Sequence, residues 1–277
     1  MTAGTKEHRP PDGSRLRRRG GRSRIVAALV VVLAAIAGLA LLDRASGPSP
    51  APSWNGDFDG GGFDQYERVQ EAAPDRTATV DSPRRRPGFA ARLTANDGDL
   101  QGGENPRAQL LSATHHRVGD DQYIGWSTYF PADFPAIEGP RAFFVFFQFH
   151  GPPFSGSPPL GFGVGPEGRL ELQRSRRYGY DRVWSAPLPK GRWIDFVAHV
   201  RWSMEEDGFV ELWLDGDRQT FSVGGRERLA MQTVEDDQLE GLQTIPTNYR
   251  RRGIVAGDVT IYHDEVKVGS SYAAVAP

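Results

Sequence analysis

The chain has 277 residues, with 33 Lys/Arg against 35 Asp/Glu, a net charge of −2, 33 Gly, 21 Pro and no cysteine. The missing cysteine excludes disulfides, thiolate metal sites and cysteine nucleophiles. The length suits one large domain behind a non-globular start, and the Gly and Pro content suits a fold with many turns.

Residues 1–24 hold eight Lys/Arg against Glu7 and Asp12, a net +6, which leaves −8 for the remainder. Ile25 to Leu42 is then an uninterrupted apolar run of 18. A basic flank before an apolar core marks export, and about 18 residues can just span a bilayer, whereas a signal-peptide core is usually about 7 to 15. Asp43-Arg44-Ala45 puts charge where signal cleavage wants a small residue. An uncleaved anchor with a basic cytoplasmic tail (1–24) is therefore expected over a cleaved signal. The domain would lie on the extracellular side of the membrane, or be secreted if the segment is cut.

Residues 43–53 include SGPSPAPS, a Pro/Ser linker that resists helix formation. The domain is expected over 54–277. Its acidic balance argues against nucleic acid as a partner, and no nucleic-acid motif opposes that. No repeat of solenoid period is present.

From Gly88 onward, strands are expected at GFAARLT, RAQLLSA, DQYIGWSTYF, AFFVFFQFH, PLGFGVG, RLELQ, RWIDFVAHVRWS, GFVELWLDG and DVTIYHDEVKVG. In AFFVFFQFH, strict alternation puts Phe143, Val145, Phe147 and Phe149 on one face and Phe144, Phe146, Gln148 and His150 on the other. The second face ends in two polar groups just before Gly151-Pro152-Pro153, at the floor or rim of a cleft. RWIDFVAHVRWS alternates an apolar face (Ile194, Phe196, Ala198, Val200, Trp202) with a mixed one, and GFVELWLDG ends in an Asp-Gly turn signal. The only helix candidate is short, around Asp237 to Leu242. These patterns describe a sandwich of two antiparallel sheets with a polar concave side.

Four ordered segments, YIGWSTYFPADFP (Tyr123–Pro135), QFHG (Gln148–Gly151), WIDFVAHVRWS with GFVELWLDG, and IYHDEVKVG (Ile261–Gly269), resemble the heparin lyase I-like polysaccharide lyases, a group similar to the glucuronan lyases. The resemblance spans roughly 54–269 and implies an all-β, concanavalin-like β-jelly roll. It also implies β-elimination on a uronic-acid polysaccharide. That chemistry needs a base for the C5 proton, a donor for the leaving oxygen at C4, and a group that offsets the carboxylate charge as the carbanion-like state builds. It needs no redox cofactor.

On this resemblance His150 is the first choice as base or acid, since imidazole titrates near neutrality. Gln148 shares its face and can donate an amide to the substrate carboxylate. Tyr249 falls where the family has a Tyr-Arg pair, with Arg250 beside it, and can move the proton or stack on sugar. Gly103-Glu104-Asn105-Pro106-Arg107-Ala108-Gln109-Leu110 resembles a GERAEL-like strand. Arg107 matches as a bidentate carboxylate clamp, whereas Gln109 stands where an acid is usual. His199 also matches a family position, with a core-edge role as its alternative.

Arginine clusters at Arg84–Arg86, at Arg174 with Arg176 and Arg177, and at Arg250–Arg252 are candidates to line a groove for an anionic chain, Arg176 among them. The tryptophans read mainly as core. A glycoside hydrolase on this fold needs two carboxylates about 5 to 10 Å apart, and no E-x-D-x-x-E motif occurs; Glu211 and Asp215 flank an apolar strand. A non-catalytic carbohydrate-binding module is the stronger rival. A structural calcium suits such sandwiches, but no Asp-rich loop specifies one. A monomer is expected.

Overall fold

The computed structural model describes residues 50–277 except 101–102, 114, 140, 152–156, 177–178 and 236–239. The expected tail and anchor (1–42), most of the linker and the core of the helix candidate at 237–242 lie outside the described residues. Among those described, no helix is long and apolar enough to cross a membrane.

Two antiparallel sheets face each other. One is built from β2 (Tyr66–Gln70), β5 (Arg107–Ser112), β6 (His115–His116), β8 (Phe144–His150), β9 (Leu160–Gly165), β10 (Arg169–Arg176), β11 (Gly179–Pro187) and β16 (Leu242–Arg250). Its order is β11-β10-β9-β8-β16-β5-β2, with β6 also on β16. The other holds β1 (Trp54–Asn55), β3 (Thr77–Val80), β4 (Ala90–Ala95), β7 (Asp121–Tyr129), β12 (Trp193–Arg201), β13 (Phe209–Leu214), β14 (Asp217–Arg218), β15 (Arg228–Ala230) and β17 (Val259–Gly269). Its order is β14-β13-β12-β7-β17-β4-β3, with β1 on β17 and β15 on β13. The only regular helix among the described residues is Tyr272–Val275.

The core lies between the inner faces. Trp126 of β7 stacks on Phe147 of β8 at 4.0 Å and on Phe196 of β12 at 5.0 Å, so one indole joins both sheets. Such pairs add about 0.5–1.5 kcal/mol beyond their buried area. The Asp215-Gly216 turn signal closes the β13–β14 hairpin with φ of 50° and 86°, the doubly positive conformation of a two-residue hairpin loop.

Strict alternation fails in β8. Val145 pairs with Gly163 and Phe147 with Phe162, so two β8 steps meet one β9 step and Phe146 is the extra residue of a bulge. Phe146 and Phe147 consequently both enter the core with Phe144 and Phe149, while Val145, Gln148 and His150 face outward. The expected faces are thereby corrected: Phe147 and Phe149 belong with Phe144 and Phe146 inside, and Val145 joins the polar face. The bulge lets a strand buried on one side by four phenylalanines still present Gln148 and His150 on the other.

Candidate active site

A cleft of about 520 Å³ opens on the outer face of the β2–β11 sheet. β8 and the residue before it supply Phe143, Val145, Gln148 and His150; β5 and β16 supply Arg107, Gln109 and Tyr249; β2 supplies Arg68 and Gln70. The far wall comes from Ser157, Pro158, Gly161, Gln173, Ser175 and Tyr180. β9 reads Leu-Gly-Phe-Gly-Val-Gly, so its core face carries Leu160, Phe162 and Val164 while its cleft face carries only glycine. That keeps the floor low beside Gln148, which is paired with Gly161.

His150 Nδ1 lies 2.9 Å from the Gly151 carbonyl oxygen. A carbonyl only accepts, so Nδ1 carries the proton and the neutral ring has its lone pair on Nε2. The Arg107 guanidinium sits 4.5 Å from the Tyr249 ring centroid, and Phe143 meets the same ring edge-on at 5.1 Å. Tyr249 is held by its chain neighbours, which point inward. Asn248 donates to the carbonyls of Leu93 (3.0 Å) and Val259 (2.7 Å) on the opposite sheet. Arg250 is fully buried, paired with Asp97 and bonded to Gly257 O at 3.2 Å. Gln109 donates to Gln70 Oε1 at 2.6 Å and accepts from Thr247 Oγ1 at 3.3 Å, a neutral chain where the family pattern has an acid.

Arg107 Nε and Gln148 Oε1 are buried yet have no hydrogen-bond partner among the described residues. Arg107 Nε is a donor and Gln148 Oε1 an acceptor, so the cleft offers a polar ligand one buried group of each kind. The cleft lining holds arginines and no carboxylate among the described residues. Two-carboxylate glycoside hydrolysis therefore has no residues to work with there.

The structure brings together His150, Gln148, Tyr249, Arg107 and Gln109, and separates Arg250 and His199 from them. Arg250 faces the interior, since its neighbour Tyr249 takes the outward position. His199 lies on β12 of the other sheet, between Asp121 (2.5 Å) and Glu211 (2.6 Å) and stacked on Tyr123 at 3.9 Å. Arg176 ends β10 opposite Gly179, and its side chain lies outside the described residues. Arg85 and Arg86 also sit away from the cleft, on Asp195 and Glu265 of the other sheet. None of the tryptophans lines the cleft. Its aromatic surfaces are Phe143, Tyr249 and Tyr180, the last 52% exposed. Sequence reading missed Tyr180 because nothing in Gly179–Pro187 alternates clearly.

Carboxylates with shifted titration also lie outside the cleft. Burial raises Asp195 and Glu211, but hydrogen bonds from Arg85 and Ser127, and from Arg228 and His199, outweigh it and hold both below the ordinary range. Among the described residues, no group of three or more His, Asp or Glu is arranged to hold a metal ion.

No curated protein matches this chain by sequence. Over residues 58–267 it matches the polysaccharide lyase family. The chain belongs to that family. Its fold is shared by an endo-β-1,4-glucuronan lyase from the fungus Trichoderma reesei, at 18% identity and a TM-score of 0.64, covering 82% of this chain and 99% of that one. It is shared too by a PL-14 alginate lyase from Aplysia kurodai, at 10% identity and TM-score 0.54, covering 80% and 100%. A glycoside hydrolase family 131 catalytic domain from Coprinopsis cinerea, at 13% identity and TM-score 0.58, covers 82% and 98%. The jelly roll thus carries lyases and hydrolases alike, and the acid-free cleft agrees with the family match in making this chain a polysaccharide lyase.

Proposed function

We propose that the lyase cleaves a uronic-acid polysaccharide by β-elimination in the cleft of His150, Gln148, Tyr249 and Arg107. The observation that carries the reading is this gathering of an imidazole, a phenol and two orphaned polar atoms in a cleft without acids. His150 Nε2 takes the C5 proton. The Arg107 guanidinium and the Gln148 Nε2 amide donate to the carboxylate and spread the charge that builds on it, which is worth most in a partly desolvated site, while Gln148 Oε1 accepts from a sugar hydroxyl. The C4–O bond then breaks, a C4=C5 double bond forms, and the Tyr249 hydroxyl protonates the departing oxygen. Proton and electron pair balance with no further reagent.

Glucuronan is the substrate we favour, with alginate and the sulfated substrate of heparin lyase I-like enzymes as competitors. The activities of the glucuronan and alginate lyases that share the fold support a uronate backbone. The test is a screen of the purified protein against glucuronan, alginate, heparin and hyaluronan, following ultraviolet absorbance of the unsaturated product. Absorbance with glucuronan is the expected result. Binding without absorbance on any of them makes the cleft that of a non-catalytic module.

The location proposed is the outer side of a membrane, through the basic flank and apolar run before residue 43. Full-length protein should fractionate with membranes, and added protease should release the domain by cutting between Ser46 and Ser53. A fully soluble protein whose mature N-terminus lies near residue 46 overturns the anchor.

A further inference from the structure

Beside the cleft lies a second depression of about 640 Å³, lined by Leu100, Gly103, Glu104, Asn105, Phe143 and the arginines Arg141, Arg251 and Arg252. The two are adjacent, with Phe143 lining both. Arg107 stands at the junction, its Nη2 so near Gly103 that a Cβ there would meet it at 2.9 Å. Among the described residues, none of the three arginines forms an ion pair, and Glu104 is the one acid of the lining. Their backbone is nonetheless ordered around the depression. Arg251 N donates to Phe143 O at 3.1 Å, Arg251 Nη1 to Arg141 O at 3.5 Å, and Arg252 N to the Asn105 side chain at 3.1 Å.

Arg141, Arg251 and Arg252 gather three guanidinium groups without an ion pair in one depression of a chain whose residues 25–277 sum to −8. Many of its other arginines are matched, as Arg85 with Asp195, Arg174 with Asp181, Arg192 with Asp215 and Arg250 with Asp97. A local field opposite to that of the whole molecule concentrates anions where it lies. We propose that Arg141, Arg251 and Arg252 form an extension subsite that binds the anionic groups of sugars beyond the cleft, on the same polysaccharide strand. The inference rests on the reading of the cleft as a uronate site. Each sugar of a polyuronate carries a carboxylate, so a strand leaving the cleft past Phe143 and Arg107 presents further charges at this point, and guanidinium pairs with carboxylate in fork geometry.

The test uses the full-length protein in non-ionic detergent with the triple substitution Arg141→Ser, Arg251→Ser, Arg252→Ser. A charge-matched control replaces the exposed Arg84, Arg117 and Arg226, which line neither cavity, by Ser. On polymeric glucuronan at low salt, KM for the first variant should rise about tenfold, the scale of three exposed charge contacts. Its dependence on salt should flatten, while the control changes neither. The shortest oligosaccharide that the wild type cleaves should keep its kcat and KM in both variants. Equal losses on the short and long substrates, no loss on the polymer, or the same loss in the control overturns the subsite. A separate arm measures glucuronan affinity by calorimetry without turnover. If the wild type binds but does not cleave, the mechanism fails and the subsite is judged on that affinity. If the wild type binds no glucuronan, the subsite fails too.

Discussion

At the residue scale the reading divides the labour between His150 and Tyr249, and two substitutions separate their roles. His150→Ala should lower kcat by about 10²-fold or more, the usual size of a lost acid–base group, with the fold unchanged. Tyr249→Phe keeps the ring under Arg107 and against Phe143 and deletes only the hydroxyl. It should abolish turnover while leaving substrate affinity near that of the wild type; retained turnover makes Tyr249 a sugar platform instead. Arg250 gives the complementary case. Its head is buried against Asp97, so Arg250→Met should cost about 1–3 kcal/mol in denaturant unfolding by leaving Asp97 and the Gly257 carbonyl without their donor. The surviving folded fraction should keep the wild-type KM. A raised KM with undiminished stability would return Arg250 to the cleft.

At the element scale, activity depends on strands that present different chemistry on their two faces, and β9 offers the simplest test. A Cβ at Gly161 has ordinary room, its nearest neighbours being Pro158 at 3.7 Å and Val145 at 3.9 Å. Gly161→Val should therefore fold with wild-type stability yet fill the cleft floor and raise KM steeply; an unchanged KM places the substrate elsewhere. At Gly163 the same change would drive Cβ to 2.6 Å from the Phe144 carbonyl oxygen, so that variant should lose stability first. How far these elements can be read from the sequence follows from their patterning. The strands at 121–129, 193–201 and 209–214 alternate cleanly, and the two-sheet sandwich with its Asp215-Gly216 turn follows from them. The bulge at Phe146 is invisible in AFFVFFQFH, since its five phenylalanines fit either face and only the partner's register selects one. β16 is hidden for another reason. Leu242–Arg250 holds Pro246, which demotes a strand pattern, and inward Thr244, Asn248 and Arg250, which look solvent-facing until His116, the carbonyls of Leu93 and Val259, and Asp97 supply their partners. Tyr249 was accessible only through family resemblance, and Arg250, its neighbour in the same motif, takes the opposite face for simple reasons of alternation.

At the scale of the whole molecule, two neighbours on β17 contribute to the response to acid, and their effects oppose one another. His263 is fully buried, and loss of hydration lowers it from 6.5 to about 3. Between those values the unfolded chain binds the proton and the folded one does not, so His263 removes stability as pH falls below about 6.5. Asp264 is raised from 3.8 to about 6, first by burial and then by the nearby charges of Glu265 and Asp59, against hydrogen bonds from the backbone of Arg85 and Glu265. Here the folded state holds the extra proton, so Asp264 adds stability as pH falls from about 6 toward 3.8. Across that shared window the two slopes, each about 1.4 kcal/mol per pH unit, nearly cancel, and their joint contribution to the unfolding free energy should stay almost level from pH 6 to 4. Asp264→Asn retains an acceptor for the Arg85 amide, 2.9 Å away, but does not titrate. In that variant the His263 slope stands alone, so stability should decline steadily through the same interval in urea titrations at successive pH values. A variant as flat as the wild type would mean that Asp264 does not hold its proton in the folded state and that the acid response arises elsewhere in the sandwich.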